Sequence, residues 1–272
     1  MSQAKQKVIL ITGSNSGIGH ATAKKAVEAG HIVYGGARRQ DTFPAIKTLG
    51  AHPLCIDVTD EASMIEAVRY VEAQHGAVDV LVNNAGFGQM GAIEDITNEQ
   101  WLRQYETNVF GLVRMTQLVL PKMRQQKSGN IINISSAGGE FTFPLAGAYH
   151  STKYAVESIS DALRLEVKQF GIKVVLIQPG PVLTPLAHSS AQSLTVTPDN
   201  PYSDMMQAFH KMSQQTTGYI MPERVASVIV KVMGASNPRP RYKVGMMGHM
   251  MPLFRTVFSA WLWDRFVGSF YR

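Results

Sequence analysis

The chain has 272 residues, 45% of them hydrophobic and 17% charged, ordinary proportions for a globular protein with a sizeable core and room for one large α/β domain or two small ones. Its net charge is +6, yet the segment from Arg239 to Arg272 alone carries six Lys or Arg against Asp264, so the rest contributes only +1. A nucleic-acid-binding surface spread over the fold is therefore not expected, and the single cysteine, Cys55, excludes an intrachain disulfide.

The first seven residues are polar and lead directly into strand-like sequence, so no signal peptide is expected and a cytoplasmic protein is the default. Val8-Ile9-Leu10-Ile11-Thr12 is a β-branched apolar run that predicts a buried strand over 8–12. Gly13-Ser14-Asn15-Ser16-Gly17-Ile18-Gly19 follows, then a helical pattern over 17–29 stopped by Gly30. Strand, glycine turn and helix is an arrangement that binds phosphate: the backbone can come close, and the helix start offers free N–H groups and a positive dipole end. Further strands are predicted at 31–36, 53–57, 78–83, 130–135, 172–178 and 241–244, and helices at 60–75, 98–126, 149–170 and 222–234. Cys55, in Pro53-Leu54-Cys55-Ile56, is expected to be a buried, inert thiol. The strands are near-continuous apolar runs, as in a parallel sheet covered on both faces. The pattern predicts a single α/β doubly wound domain with about seven parallel strands and helices on both faces. Ligands of such folds bind beyond the carboxyl ends of the strands. The glycine loop, Asn83–Gly86, Ser135–Ser136 and Pro179–Thr184 all follow strand ends.

Tyr149 and Lys153 are four residues apart, one helical turn, so on a helix they share a face. A free phenol has a pKa of about 10 and exchanges protons poorly near neutrality. A fixed positive charge beside it stabilises phenolate and brings it toward the working range. Ser136, thirteen residues earlier, could hydrogen-bond the same substrate oxygen. The three together suit proton movement on and off a carbonyl or alcohol oxygen. The eight histidines show no metal-ligand spacing, so no metal is expected, and His150 is expected to face away from the site.

Thr12-Gly13-x-x-x-Gly17-x-Gly19, Asn83-Asn84-Ala85-Gly86, Asn108, Ser136, Tyr149-x-x-x-Lys153 and Pro179-Gly180 occur in an order and at distances that resemble the short-chain dehydrogenase/reductase family, over residues 7 to 235. The resemblance implies a Rossmann-type domain, a nicotinamide cofactor, and a catalytic group of Asn108, Ser136, Tyr149 and Lys153. It implies that Gly13, Ser14, Asn15, Ser16, Gly17, Ile18 and Gly19 hold the pyrophosphate. Asp57 and Val58 would lie at the adenine, and Asn84, Ala85 and Gly86 would steady the sheet beside the adenine-ribose side. Pro179, Gly180, Val182 and Thr184 would form the nicotinamide turn, with Tyr149 and Lys153 reaching the cofactor. Asn108 would distort its helix and hold a water linked to Lys153.

The second predicted strand ends Val33-Tyr34-Gly35-Gly36-Ala37-Arg38-Arg39, with no acid to grip a ribose 2′-hydroxyl. Arg38 and Arg39 offer guanidinium groups suited to a 2′-phosphate, so NADP(H) is favoured over NAD(H). A carbonyl reductase is expected, with an NAD-linked alcohol dehydrogenase and a non-catalytic cofactor-sensing protein as alternatives.

The division expected is a catalytic domain over 1–238, with a substrate lid at about 185–221, and a basic amphipathic extension over 239–272. Met205, Met206, Phe209 and Met212, with Phe87, Phe141, Phe143 and Leu145, suggest an apolar wall for a small lipophilic substrate: steroid-like, retinoid-like or acyl-chain. In the tail, Phe254, Val257, Phe258, Trp261, Leu262, Phe266 and Phe270 recur at helical spacing among basic residues. A helix packed on its own domain or at a subunit interface, and a helix lying on a membrane surface, both fit that pattern. The resemblance also implies a homodimer or homotetramer.

Overall fold

The apolar runs form strands and the amphipathic stretches form helices. The computed structural model describes residues 6–194, 196 and 198–271; the polar start before Gln6 and the terminal Arg272 lie outside these. The order is β1 (Val8–Ile11), α1 (Gly17–Glu28), β2 (Ile32–Ala37), α2 (Phe43–Lys47), β3 (His52–Cys55), α3 (Glu61–His75), β4 (Val80–Asn83), α4 (Asn98–Tyr105), α5 (Gly111–Gln125), β5 (Gly129–Ile134) and α6 (Gly147–Val167). There follow β6 (Ile172–Pro179), α7 (Pro185–Gln192), α8 (Ser203–Gln214), α9 (Pro222–Gly234), β7 (Arg241–Val244), α10 (Met246–Val257) and α11 (Ala260–Gly268). Among the described residues, strands and helices alternate one for one as far as β4, with two helices between β4 and β5, three between β6 and β7, and two after β7.

All strands pair in parallel in one sheet, ordered β3-β2-β1-β4-β5-β6-β7. Because successive side chains point to opposite faces, Ile9 and Ile11 enter one core with Ala23 and Ala26 of α1 and Val225 and Ile229 of α9. Val8 and Leu10 enter the other, with Met64 and Val68 of α3 and Met115 and Val119 of α5. The expected doubly wound α/β fold forms. Its strand order reverses between β1 and β4, so the loops leaving those strands diverge and open a crevice at the carboxyl edge.

Several local expectations are corrected. The helix expected as regular over 98–126 contains a π-helical turn, Glu106–Phe110, which buries Asn108 and Val109 and is a distortion of the kind expected at Asn108; such bulges open the backbone ladder where a side chain must be re-aimed. Cys55 is exposed rather than buried. It lies on β3, the sheet's edge, and the neighbouring α2 is only five residues long, too short to cover it. The strand expected over 241–244, by contrast, forms as β7 and pairs with β6, at the start of the extension expected over 239–272. Beyond β7 the tail is a helix pair, broken at Phe258-Ser259, with Ser259 Oγ accepting from Leu262 N at 3.4 Å. Among the described residues, no helix is long and apolar enough to cross a membrane.

Candidate active site

Two motifs close on each other at the strand reversal. Gly13 has φ +65°, and a Cβ there would lie 2.9 Å from Ala85 Cα. Asn84 Nδ2 donates to the carbonyls of Thr12 (2.9 Å) and Gly13 (2.8 Å), while Asn84 N and Ala85 N both donate to Thr12 Oγ1 at 3.0 Å. Asn84 and Ala85 therefore clamp the glycine loop. Gly86 lies against Asn108 Oδ1. Ser14 is buried, and both its N–H (2.9 Å) and its hydroxyl (3.2 Å) donate to Gly36 O, so its side chain is taken up by the fold. Ser16 precedes α1 without capping it by its side chain, and the first turn holds no acid. The amides of Gly17, Ile18 and Gly19 thus head an uncapped, positively polarised helix end.

At the end of β2, Arg38 and Arg39 are both exposed, but Arg39 pairs with Asp41 at 3.7 Å. Arg38 has no acidic partner among the described residues and is the free guanidinium. Asp57 Oδ1 accepts from Thr59 N (3.0 Å) and Thr59 Oγ1 (2.7 Å), fixing the turn into α3, and Val58 is buried against Gly111. On the other side of the crevice, Pro179 ends β6, Gly180 N donates to Val244 O at 2.9 Å, and Val182 bridges to Ile220. A Cβ on Gly17 would lie 3.1 Å from Thr184 Cγ2. The glycine loop and the Pro179–Thr184 turn, 167 residues apart at those two positions, thus enclose one cleft.

Ser136, Tyr149 and Lys153 meet beside it. Ser136 follows β5 and its Oγ accepts from Gly138 N at 3.1 Å. Tyr149 and Lys153 occupy successive turns at the start of α6, with Nζ 5.7 Å from the phenol ring centre. Burial pushes the Tyr149 phenol up, and the Ser136 hydroxyl beside it pulls it down. Lys153 Nζ donates to Ile134 O at 2.8 Å. Burial brings its ammonium down to about 8, opposed by the charge of Glu157.

Asn108 stands apart from this trio. Its Oδ1 accepts from Phe87 N (3.1 Å), and its Nδ2 donates to Phe87 O (2.9 Å) and Thr152 Oγ1 (3.2 Å). The side chain is occupied, and its connection toward α6 runs through Thr152, with no direct hydrogen bond to Lys153 among the described residues. His150 is buried under the Ser136 loop, where a Cβ on Gly138 would meet its ring at 2.6 Å, and its Nδ1 is 3.2 Å from Thr142 Oγ1.

Tyr149 also borders an apolar cluster of Met90, Leu145, Leu194 and Met206, with Met205 and Phe209 packed against it. Met212 and Phe87 are not part of it, and Phe87 instead lies under Arg103, 5.1 Å from its ring centre. Phe143 packs against this cluster and, with Phe141, on the C-terminal helices, where Trp263 stacks on Phe143 at 6.3 Å and 7° and approaches Phe141 at 5.9 Å. Sequence reasoning missed Gln104, which accepts from Gln89 N (2.6 Å) and donates to Phe87 O (2.9 Å), and the positive φ of +66° at Leu145, strained for a β-carbon-bearing residue. No local pattern signals either one.

A family model described as short chain dehydrogenase matches residues 7–195. The chain is 38% identical over 262 residues to a 3-ketodihydrosphingosine reductase of Bacteroides thetaiotaomicron, covering 95% of this chain and 94% of that one. It is 34% identical over 245 residues to an NADPH-dependent 3-dehydrocapnine reductase of Ornithobacterium rhinotracheale, covering 86% and 87%. The structure of a short-chain dehydrogenase from Streptomyces avermitilis superposes with a TM-score of 0.83 at 33% identity, over 99% of each chain. Matched along nearly its whole length in sequence and in backbone, the chain belongs to the short-chain dehydrogenase/reductase family of oxidoreductases.

Proposed function

We propose that the protein is an NADP(H)-dependent reductase of a lipophilic ketone or aldehyde with an acyl-chain-like body. The observation that carries this reading is the position of Tyr149, with Ser136 and Lys153 on one side and the apolar cluster of Leu145, Leu194 and Met206 on the other. Polar chemistry and an apolar wall meet at one phenol. Helices α7 and α8, which supply Leu194's approach and Met206, act as the substrate lid.

The cleft fits a dinucleotide: the open amides at the start of α1 suit the pyrophosphate, Arg38 suits a 2′-phosphate, and Val182 and Thr184 suit the carboxamide. A bound nicotinamide supplies the hydride that reduces the carbonyl carbon. Tyr149 donates its proton to the carbonyl oxygen, and Ser136 hydrogen-bonds that oxygen as negative charge develops on it. Lys153 holds positive charge next to the phenol, offsetting the burial that favours its neutral form. Asn108 orients the Phe87 backbone and Thr152 behind this group. The names of two relatives, one acting on 3-ketodihydrosphingosine and one NADPH-dependent, support the choice of long-chain ketone and of cofactor.

The same reading takes the protein as a cytoplasmic homodimer or homotetramer, with exposed Leu102, Phe110 and Leu165 on the long helices as contact residues, and gives the C-terminal helices peripheral contact with membrane. The test is fluorescence titration with NADPH and NADH, followed by NADPH oxidation with 3-ketodihydrosphingosine. NADPH should bind at least about tenfold tighter than NADH, a difference of about 1.4 kcal/mol, and Arg38→Ala should erase the preference. Tyr149→Phe should bind cofactor normally and lose turnover. Equal binding of NADH by the wild type would turn the reading to NAD-linked alcohol oxidation, and turnover by Tyr149→Phe would remove the proton-donor role.

A further inference from the structure

Behind Lys153 lies a polar cluster that the reaction described above does not use. Glu157 is one turn further along α6 and is buried. No carboxylate among the described residues comes within 4 Å of Lys153 Nζ, which is bonded to Ile134 O. Glu157 is instead fixed from other elements. Its Oε1 accepts from Gln178 Nε2 of β6 at 3.0 Å, and its Oε2 pairs with Arg241 Nε of β7 at 2.9 Å. Gln178 Nε2 also donates to Glu140 Oε1 at 2.7 Å, and Glu140 pairs with Lys243 at 2.8 Å. Glu140 lies at the end of the short helical turn that Ser136 begins. Gly139 in that turn leaves room for the cluster: a Cβ there would fall 2.9 Å from Glu157 Cγ and 3.2 Å from Lys153 O. One carboxylate is therefore tied to the serine loop, to the strand that ends in the Pro179 turn, and to β7, and it shares a helix face with Lys153.

We propose that Glu157 is a positioning residue for this reaction: anchored by Gln178 and Arg241, it supplies the buried negative charge that keeps Lys153 an ammonium, and through Gln178 and Glu140 it fixes the Ser136 loop against α6. The inference rests on the reductase reading, since it assigns Lys153 the role given there. A buried ammonium without a nearby anion sheds its proton easily. Burial lowers Lys153 to about 8, and Glu157 is the charge that opposes this. The other charged groups around the cluster are Glu140 on the serine loop, Arg241 and Lys243 on β7, and Asp161 and Arg164 further along α6, with Asp161 held by both arginines. Tyr149, on the turn before Lys153, and Tyr154, whose phenol burial pushes up while Arg255 of α10 lowers it and Glu140 raises it, are further titratable neighbours. The two halves of the Glu157–Arg241 pair should therefore act on Lys153 in opposite directions. Removing the carboxylate leaves the lysine less supported, whereas removing the guanidinium leaves the carboxylate's charge less neutralised.

The test is the pH dependence of NADPH affinity, read by cofactor fluorescence, with the pH profile of ketone reduction measured alongside. Wild-type affinity should fall as pH rises through the Lys153 midpoint near 8, and Lys153→Met should remove that dependence. Glu157→Gln, which keeps the shape and a donor–acceptor end group, should move the midpoint about one unit lower. Arg241→Gln should move it higher. Opposite shifts from two variants of one contact do not arise from loosened packing, which would weaken binding at all pH values. Midpoints unchanged in both variants, shifts of the same sign, or a pH dependence that survives Lys153→Met would each overturn the inference while leaving the reductase reading intact. A wild type that binds no nicotinamide cofactor at any pH would overturn both.

Discussion

His150 carries no proton in the folded chain at neutral pH, because burial takes it from the ordinary 6.5 down to about 4. In the unfolded chain it titrates near 6.5, so between pH 6.5 and 4 the unfolded state binds a proton that the folded state refuses, and stability falls as pH falls through that window. The loss should reach about 2 kcal/mol at pH 5 relative to pH 7.5. Urea unfolding at the two pH values checks it: His150→Gln should flatten the difference, and an equal difference in the variant would place the acid sensitivity elsewhere. Individual site residues differ in how far the sequence discloses them. Tyr149 and Lys153 are legible because one helical turn fixes their relation whatever surrounds them. The side-chain partners of Asn108, the backbone of Phe87 and the hydroxyl of Thr152, are not legible in this way. Those contacts depend on how the 87–89 loop returns to α4 and α5, which no local pattern encodes. The same holds for Gln104, a buried amide that reads in sequence as an ordinary helix-surface residue.

At the scale of elements, α11 is attached to the catalytic loop by Trp263, which is buried against Phe141 and Phe143, and Tyr271 Oη adds a bond to Pro144 O at 3.3 Å. Trp263→Ala should cost about 3–5 kcal/mol, the range for truncating a buried aromatic side chain. Because the residues it supports belong to the loop that carries Ser136, turnover should fall along with the melting temperature. Calorimetry paired with kcat tests this; a melting temperature within a degree of wild type would show that the helix pair is not integral to the domain. The strands and the long helices were readable because their periodicity spans many residues. Helices α7 and α8 were not, since their Ser-, Gln- and Met-rich sequence shows weak periodicity; α8 and Leu194, which follows α7, pack beside Tyr149 instead. The tail's aromatic spacing was real, but it was read as one helix; Ser259 starts a new one, and Trp263 rather than Trp261 faces the domain.

Across the whole molecule, the two C-terminal helices are among the places where large apolar side chains stay exposed. Met246, Leu253, Val257 and Trp261 are 65%, 58%, 70% and 67% exposed along the two C-terminal helices, on the side away from the Ser136 loop, with Arg265 5.9 Å from the Trp261 ring centre. Part of the tail's positive charge is not available there, since Arg241 and Lys243 are paired with Glu157, Asp161 and Glu140. Attachment to a bilayer would therefore depend on apolar burial more than on charge. The protein should co-sediment with phosphatidylcholine vesicles containing phosphatidylglycerol, and Val257→Ser with Trp261→Ser should weaken that partition at least about tenfold, the effect of withholding two apolar side chains. Equal partition of wild type and variant would show that the face serves another purpose.

The sheet edge has a practical consequence of its own. The only sulfhydryl in the chain is solvent-accessible on β3, with Sγ 3.9 Å from the carbonyl oxygen of Arg38. A maleimide dye would attach at that one place without mutagenesis. It would stand next to the residue assigned to the 2′-phosphate and remote in sequence from Ser136, Tyr149 and Lys153, so dye emission would report the arrival of the adenosine half separately from the chemistry at the other end.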